Sequence, residues 1–89
     1  MYVHIGKDVI INSENIIAIF DIKTLEKKNS LENICKKLKI GDNIIDVSED
    51  NKKTFILVNE NNKAKGYISN ISSVTLGKRT SKYERMDRK

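Results

Sequence analysis

Short apolar runs, each ended by turn-forming residues, constrain the fold of this chain more than any other feature of its sequence. The runs occupy residues 2–5, 9–11, 16–22, 44–47, 53–58 and 65–69. Groups such as Gly6-Lys7-Asp8 and Asn12-Ser13-Glu14-Asn15 separate them, as turns separate strands. The run at 16–22 is continuously apolar rather than alternating, which is typical of a strand covered on both faces. In so small a protein, another subunit could cover the second face.

Two segments have the pattern of helices. Asn29-Ser30-Leu31-Glu32 resembles a capping box, and an apolar stripe at helical spacing follows, so we predict a helix from about residue 30 to 39 that ends at Gly41. The stripe consists of Leu31, Ile34, Cys35 and Leu38. Ser69 or Asn70 is predicted to cap a second, short helix that ends near Gly77. The order β-β-β-α-β-β-β-α predicts a small α+β domain with an antiparallel-leaning sheet over residues 1–77.

The size of the chain favours self-association. Its 89 residues form one domain, and a domain this short buries only about 60–65% of its unfolded surface. Cys35 has no second cysteine for a disulfide, which fits a reducing compartment. The opening residues lack the pattern of a signal peptide and no apolar run reaches the ~20 residues of a membrane span, so we expect a cytoplasmic homo-oligomer.

The positive charge is concentrated at the C-terminus. Of the net charge of +5, residues 78–89 contribute six cations against two anions, whereas residues 1–77 hold eleven cations and ten anions. We therefore predict a nearly neutral body and a basic, flexible tail at 78–89. Such a tail is compatible with binding to nucleic acid, with binding to an anionic membrane, or with a role in solubility alone.

No combination of residues predicts an enzyme, a metal site, a cofactor or a small-molecule substrate. His4 lies in a short strand without an acidic or nucleophilic partner at a known spacing. Asp46, Glu49 and Asp50 flank a turn, where acidic residues are common in any case. Cys35 falls on the apolar stripe of the predicted helix and is expected in the core. The four glycines stand alone and form no phosphate-binding loop.

Lys52 and Lys53 form the most informative cation cluster, and two interpretations stay open. The pair could be a solvated hairpin mouth, or it could contact phosphate. Because neighbouring side chains in a strand point to opposite faces, both lysines reach one ligand only if Lys52 still belongs to the turn. Lys36, Lys37 and Lys39 fit the solvated end of the predicted helix.

Three stretches resemble the extracellular-matrix regulatory proteins of Gram-positive bacteria, the RemA/RemB-like family. MYVHIGKDVIINSENIIAIFDI is similar to the start of the family and is closest to its RemB-like branch. IIDVSEDNKKTFILV is similar to the segment in which a basic pair precedes an apolar strand, and GYISNISSVTL to the closing strand and helix. The resemblance covers about residues 1–77 and does not include the tail.

The resemblance implies a DNA-binding regulator of biofilm-matrix genes with a fold similar to the LytTR DNA-binding domain. It also implies a ring that presents basic side chains repeatedly to double-stranded DNA. Lys52 and Lys53 match an arginine pair that contacts DNA in the RemA branch, and Asn15 matches another such arginine. Lys78 and Arg79, the first cations of the tail, are expected to add to the DNA-binding residues. Asparagine at 15 and lysines at 52 and 53 predict weaker binding that depends on assembly.

Two other classes of function remain open on the sequence. One is an oligomeric protein-interaction module that does not bind nucleic acid. The other is peripheral binding to anionic membrane through residues 78–89, which ranks last because the tail lacks a clear apolar face.

Overall fold

Over the residues that the structure describes, the chain forms six strands and two helices. The computed structural model describes residues 1–27, 33, 36, 40 and 43–80. In chain order the strands are β1 (Tyr2–Gly6), β2 (Val9–Asn12), β3 (Ile16–Asp21), β4 (Ile44–Asp46), β5 (Thr54–Glu60) and β6 (Lys63–Ser69). A 3₁₀ turn (Ser13–Asn15) precedes β3, α1 (Ile22–Lys27) follows it, and α2 (Ser73–Thr80) follows β6. This composition confirms the α+β class.

The strands form two sheets. β1 and β2 make an antiparallel hairpin, and the other four strands form a sheet in the order β3-β5-β6-β4. β5 pairs antiparallel with both of its neighbours, whereas the short β4 pairs parallel with β6. The antiparallel-leaning sheet is therefore confirmed, with one parallel pair at its edge. The likeness to the LytTR domain stays a prediction.

The core lies on both faces of β5. Ile56 and Val58 belong to a cluster with residues of the β1–β2 hairpin and α2, whereas Phe55 and Leu57 belong to a second cluster with α1. β3 also packs on both faces, since Ile16 and Ile19 pack in the first cluster whereas Ala18 and Phe20 pack against the second. This coverage is incomplete, because β3 is an edge strand and its Ile17 is 57% exposed, and its completion by another subunit stays a prediction.

The same run also ends earlier than predicted, because Ile22 begins α1. The Asp21 carboxylate accepts a hydrogen bond from the Lys23 backbone N–H at 2.9 Å, which caps the helix. Ile22 and Leu25, three residues apart, are both buried on the sheet. The helix predicted at 30–39 falls almost wholly outside the described residues, although Asn33 and Lys36 within it are helical.

The last helix starts and ends later than predicted. Ser72 is its N-cap, since the Ser72 hydroxyl accepts a hydrogen bond from the Thr75 N–H at 3.2 Å. Ser69 instead donates its hydroxyl to the Ile5 carbonyl at 2.6 Å, which joins β6 to the hairpin. Gly77 is buried inside α2, and the helix continues to a buried Thr80. Lys78 and Arg79 therefore belong to the folded domain rather than to a tail.

Among the described residues, no helix has the length and apolar character that crossing a bilayer requires.

Candidate nucleic-acid interface

The loop that carries Lys52 and Lys53 is fixed through its backbone. The Lys53 N–H donates to the Ser69 carbonyl at 2.9 Å, and the Lys53 carbonyl accepts from the Ile22 N–H at 3.0 Å. At the other end of the loop, the Val47 N–H donates to the Ile68 carbonyl at 2.8 Å. Two segments that are distant in sequence, β6 and the start of α1, therefore hold the loop in place. Its two lysine side chains are both exposed.

Both lysines line one open cavity of about 300 Å³. They precede Thr54, where β5 begins, so strand alternation does not send them to opposite faces. The remaining lining residues are Asp21, Lys23, Asn51, Ser72, Ser73 and Val74. The sequence left open whether both lysines could reach one ligand. In the structure both belong to the loop and line the same cavity, which satisfies that condition.

Lys23 is a third cation of this cavity, and the sequence analysis missed it. Asp21 pairs with Thr54 across β3 and β5, so the chain leaves β3 directly beside Lys53. With Lys23 the cavity is lined by three lysines, and Asp21 is the acidic residue of its lining. The sequence does contain one signal for this position. Asp21, two residues before Lys23, is a typical N-cap residue and indicates that a helix starts there.

The first turn of α2 adds to the electrostatic character of the cavity. Ser73 and Val74 open the helix and line the cavity. The N-terminal end of a helix dipole favours anions, and the hydroxyl of Ser73 is a hydrogen-bond donor that suits a phosphate oxygen. Lysines, hydroxyls and a helix start therefore face the same space. This combination suits an oxyanion ligand.

Lys78 and Arg79 have different surroundings in the last turn of α2. Lys78 lies four residues after Val74, hence on the same helix face and about 6 Å further along the axis. It extends the basic surface away from the cavity. The Arg79 guanidinium instead donates to the His4 carbonyl at 3.0 Å, which ties α2 to β1. This bond gives Arg79 a structural role, and its contact with DNA stays a prediction.

Asn15 is not brought to the cavity. It ends the 3₁₀ turn before β3, next to the Ile16–Val58 pair, whereas Lys53 adjoins the Asp21–Thr54 pair. The two sites lie at opposite ends of β3, about 20 Å apart at ~3.3 Å per residue. Asn15 and the lysine pair of one protomer therefore cannot share a phosphate group.

Asp46 contacts the lysine loop from β4. Its carboxylate oxygen Oδ2 lies 3.8 Å from Lys52 Nζ, and its Oδ1 accepts hydrogen bonds from the Ser48 hydroxyl and N–H at 2.6 and 2.8 Å. The Ser48 hydrogen bonds hold the pKa of the Asp46 carboxyl below its usual value, and the ammonium groups of Lys52 and Lys7 act in the same direction. The carboxylate is therefore ionised at neutral pH.

His4 Nε2 forms a hydrogen bond with the Lys7 carbonyl at 2.6 Å within the β1–β2 turn. Over the described residues, no group of three or more His, Cys, Asp or Glu side chains is placed to hold a metal ion.

Comparison with known protein families gives a match over most of the chain. The family model described as RemA-like, extracellular matrix regulatory protein A-like, matches residues 2–80. The match ends at Thr80, which is also the last residue of α2. No individual curated protein matches the sequence.

Proposed function

The chain belongs to the RemA-like family of extracellular matrix regulatory proteins, and on this premise we propose that it is an oligomeric DNA-binding transcriptional regulator. It acts in the cytoplasm on extracellular-matrix, or biofilm, genes, and it falls in the RemB-like branch of the family. The branch assignment rests on the resemblance of residues 1–22. The proposal includes no catalytic step, cofactor or small-molecule substrate.

The observation that carries the proposal is the convergence of Lys52, Lys53 and Lys23 on one open cavity. The loop of Lys52 and Lys53 is held by backbone hydrogen bonds to β6 and α1, and Lys23 lies in the first turn of α1, so all three lysines extend from a fixed backbone. An ammonium group binds a phosphate oxygen as a point charge and lacks the two-pronged geometry of arginine. The contacts we propose are therefore to the DNA backbone and carry no base specificity of their own.

Three phosphate contacts per protomer give modest affinity, which is why the proposal includes assembly. Each contact adds about −0.9 to the slope of log K against log salt. Several protomers bound to one duplex would act at high effective concentration and turn a weak site into a strong one. The ring implied by the family resemblance would provide this repetition. The exposed Ile17 on the edge strand β3 supports an interface between protomers.

The test is a salt-titrated binding assay with fluorescently labelled duplex DNA, combined with native mass measurement. We expect Lys52→Ala/Lys53→Ala to weaken binding and flatten the salt slope by about 2 for each protomer that contacts the duplex, while the oligomer mass stays unchanged. The matched control is Lys63→Ala/Lys65→Ala, which removes the same charge at the far end of the β5–β6 hairpin. Equal binding by parent and Lys52→Ala/Lys53→Ala at every salt concentration would refute the assigned site.

A second candidate, an oligomeric protein-interaction module without nucleic-acid binding, has one observation in its favour. The outer face of the β1–β2 hairpin carries Tyr2 and Ile10, which are 72% and 60% exposed. An exposed aromatic and aliphatic pair suits a protein partner better than a phosphate backbone. This function predicts a defined oligomer whose duplex binding does not exceed that of an unrelated basic protein.

A further inference from the structure

The carboxylate of Asp46 is held beside the lysine loop by hydrogen bonds to one oxygen and an ion pair at the other. Its Oδ1 accepts two hydrogen bonds from Ser48, a residue with no exposed surface. Its Oδ2 is left facing the Lys52 ammonium at 3.8 Å. One oxygen of the carboxylate is thus fixed by the fold, and the other is directed at a cation that lines the cavity.

We infer that Asp46 is an intramolecular competitor for Lys52, so that a phosphate group entering the cavity has to displace this carboxylate from the lysine ammonium. The inference rests on the proposed function, because it assigns Asp46 the role of setting the affinity of the same site. Lys52 is 56% exposed on its side chain and can turn from Asp46 toward the cavity. Its contact with phosphate is made at the expense of its contact with Asp46.

Lys52 differs in this respect from the other two lysines of the cavity. Over the part of the chain that the structure describes, the ion pairs are Lys52–Asp46 and Lys65–Glu60. Lys23 and Lys53 have no carboxylate within ion-pair distance there and are available to phosphate without an exchange. Asp46 therefore weakens the contribution of one of the three lysines. The affinity of the cavity for phosphate is then lower than three unpaired lysines would give.

Lys7 is a second cation on the side of Asp46, and it acts on the carboxylate more weakly than Lys52 does. Gly6, at φ 144°, lies so close to the loop after β4 that a Cβ there would meet the Val47 carbonyl oxygen at 2.5 Å. This contact brings the β1–β2 turn against the loop, and the Lys7 ammonium is near enough to act on Asp46. When Lys52 turns toward a phosphate, Asp46 keeps one neighbouring cation.

The experiment compares Asp46→Asn with Asp50→Asn in the full-length protein. Asparagine at 46 keeps an oxygen for the Ser48 hydrogen bonds and loses the charge. Asp50 lies in the same loop, is exposed, and has no ion pair among the described residues, so its variant controls for net charge. We expect Asp46→Asn to tighten the binding of labelled duplex about two- to fivefold, the range of an exposed ion pair.

Combining Asp46→Asn with Lys52→Gln completes a double-mutant cycle. The gain from Asp46→Asn should vanish when Lys52 is already glutamine, because no ammonium remains to be released. Unchanged affinity in Asp46→Asn, an equal gain in Asp50→Asn, or a gain that survives Lys52→Gln would overturn the inference.

A titration with inorganic triphosphate separates this inference from the proposed function. If the parent protein fails to bind duplex, the proposed function is refuted, and the amide shifts of Asn51, Lys52 and Lys53 still report triphosphate binding by NMR. Tighter triphosphate binding by Asp46→Asn than by Asp50→Asn supports the competition. Equal binding by the two variants, or no triphosphate binding by either, refutes it.

Discussion

Lysine side chains, rather than arginine, determine what kind of contact the loop can make. An ammonium group is compact and strongly hydrated, and it offers three rotatable donors instead of a planar fork. Lys52 and Lys53 are exposed, so salt will screen their attraction to phosphate. The residue-scale chemistry therefore predicts binding that is sensitive to ionic strength and tolerant of base sequence.

Lys23 provides a residue-scale test that sequence reasoning alone would not have suggested. Lys23→Ala should weaken duplex binding about equally on all DNA sequences and reduce the salt slope by about 1 for each protomer on the duplex, because the proposed site then has one phosphate contact fewer. Lys63→Ala removes one exposed charge at the opposite end of the sheet and serves as the control. The prediction fails if the two variants show the same slope in a salt-titrated anisotropy assay.

The ionisation of Asp46 predicts how the stability depends on pH. Its pKa in the folded protein lies below the usual 3.8 because Ser48 donates two hydrogen bonds to the carboxylate. The unfolded chain therefore binds this proton first as the pH falls. The stabilisation is present at pH values above 3.8 and is lost as the pH falls through the lower folded-state pKa.

The check is thermal unfolding of the parent and of Asp46→Asn from pH 7 down to pH 2.5. The parent should lose more of its melting temperature than the variant over this range, since the variant lacks the titrating group. Parallel losses in the two proteins would show that the hydrogen-bonded carboxylate adds nothing to the acid sensitivity.

At the scale of elements, the strands were predictable and their boundaries with helices were not. Apolar runs between turn residues identified all six strands, because that pattern is local. Ile22 was assigned to a strand since it continues an apolar run, yet Asp21 caps a helix there. The start of α2 was misplaced because Ser69 resembles a cap in sequence, whereas its hydroxyl is engaged by Ile5 of a distant strand.

The residues of the candidate site were likewise predictable only in part. Lys52 and Lys53 stand out because they are adjacent in sequence. Asp46 also flanks this turn in sequence, although its ion pair with Lys52 is seen only in the structure. Lys23 reaches the loop through the β3–β5 register, and such pairing between distant strands is not encoded in any short motif, so Lys23 became visible as a neighbour only with the fold.

The hydroxyl of Ser69 allows a prediction about how the elements are held together, because it joins β6, β1 and the segment before α2. Its hydroxyl donates to the Ile5 carbonyl and accepts from the Ile71 N–H. Ser69→Ala should lower the free energy of unfolding by about 1–3 kcal/mol, since buried backbone groups lose their partner. Thr24→Ala on the exposed face of α1 should change it by less than about 0.5 kcal/mol. Equal values in urea denaturation would contradict the role of Ser69.

At the scale of the whole molecule, the outer edge of the four-stranded sheet is the place where protomers could meet. β3 pairs with β5 on one side, and its other edge is unpaired among the described strands. Ile17 lies at a register irregularity of β3 and is exposed. An edge strand with an exposed apolar side chain favours pairing with another chain. A small domain with a divided core would gain stability from such an interface.

Ile17→Asp tests this surface. A charge at the interface should lower the mass of the assembly and reduce duplex affinity at least tenfold through the loss of multivalent contact, while the protomer keeps its fold. Ile10→Asp places the same charge on the similarly exposed hairpin face, and a loss of assembly in this variant alone would assign the interface to the hairpin instead. Native mass spectra that stay identical for parent and Ile17→Asp would exclude β3 as the interface.

The way in which the lysine loop is held has a consequence for how the protein can evolve. The fold secures Lys53 by its peptide groups, through Ser69 and Ile22, and its side chain has no hydrogen bond or ion pair with the described residues. Substitutions at this position can therefore alter charge and hydrogen-bonding geometry while leaving the scaffold intact. Under the proposed function, selection can adjust the strength of DNA binding here in single steps, from asparagine or glutamine through lysine to arginine, with little effect on whether the protein folds.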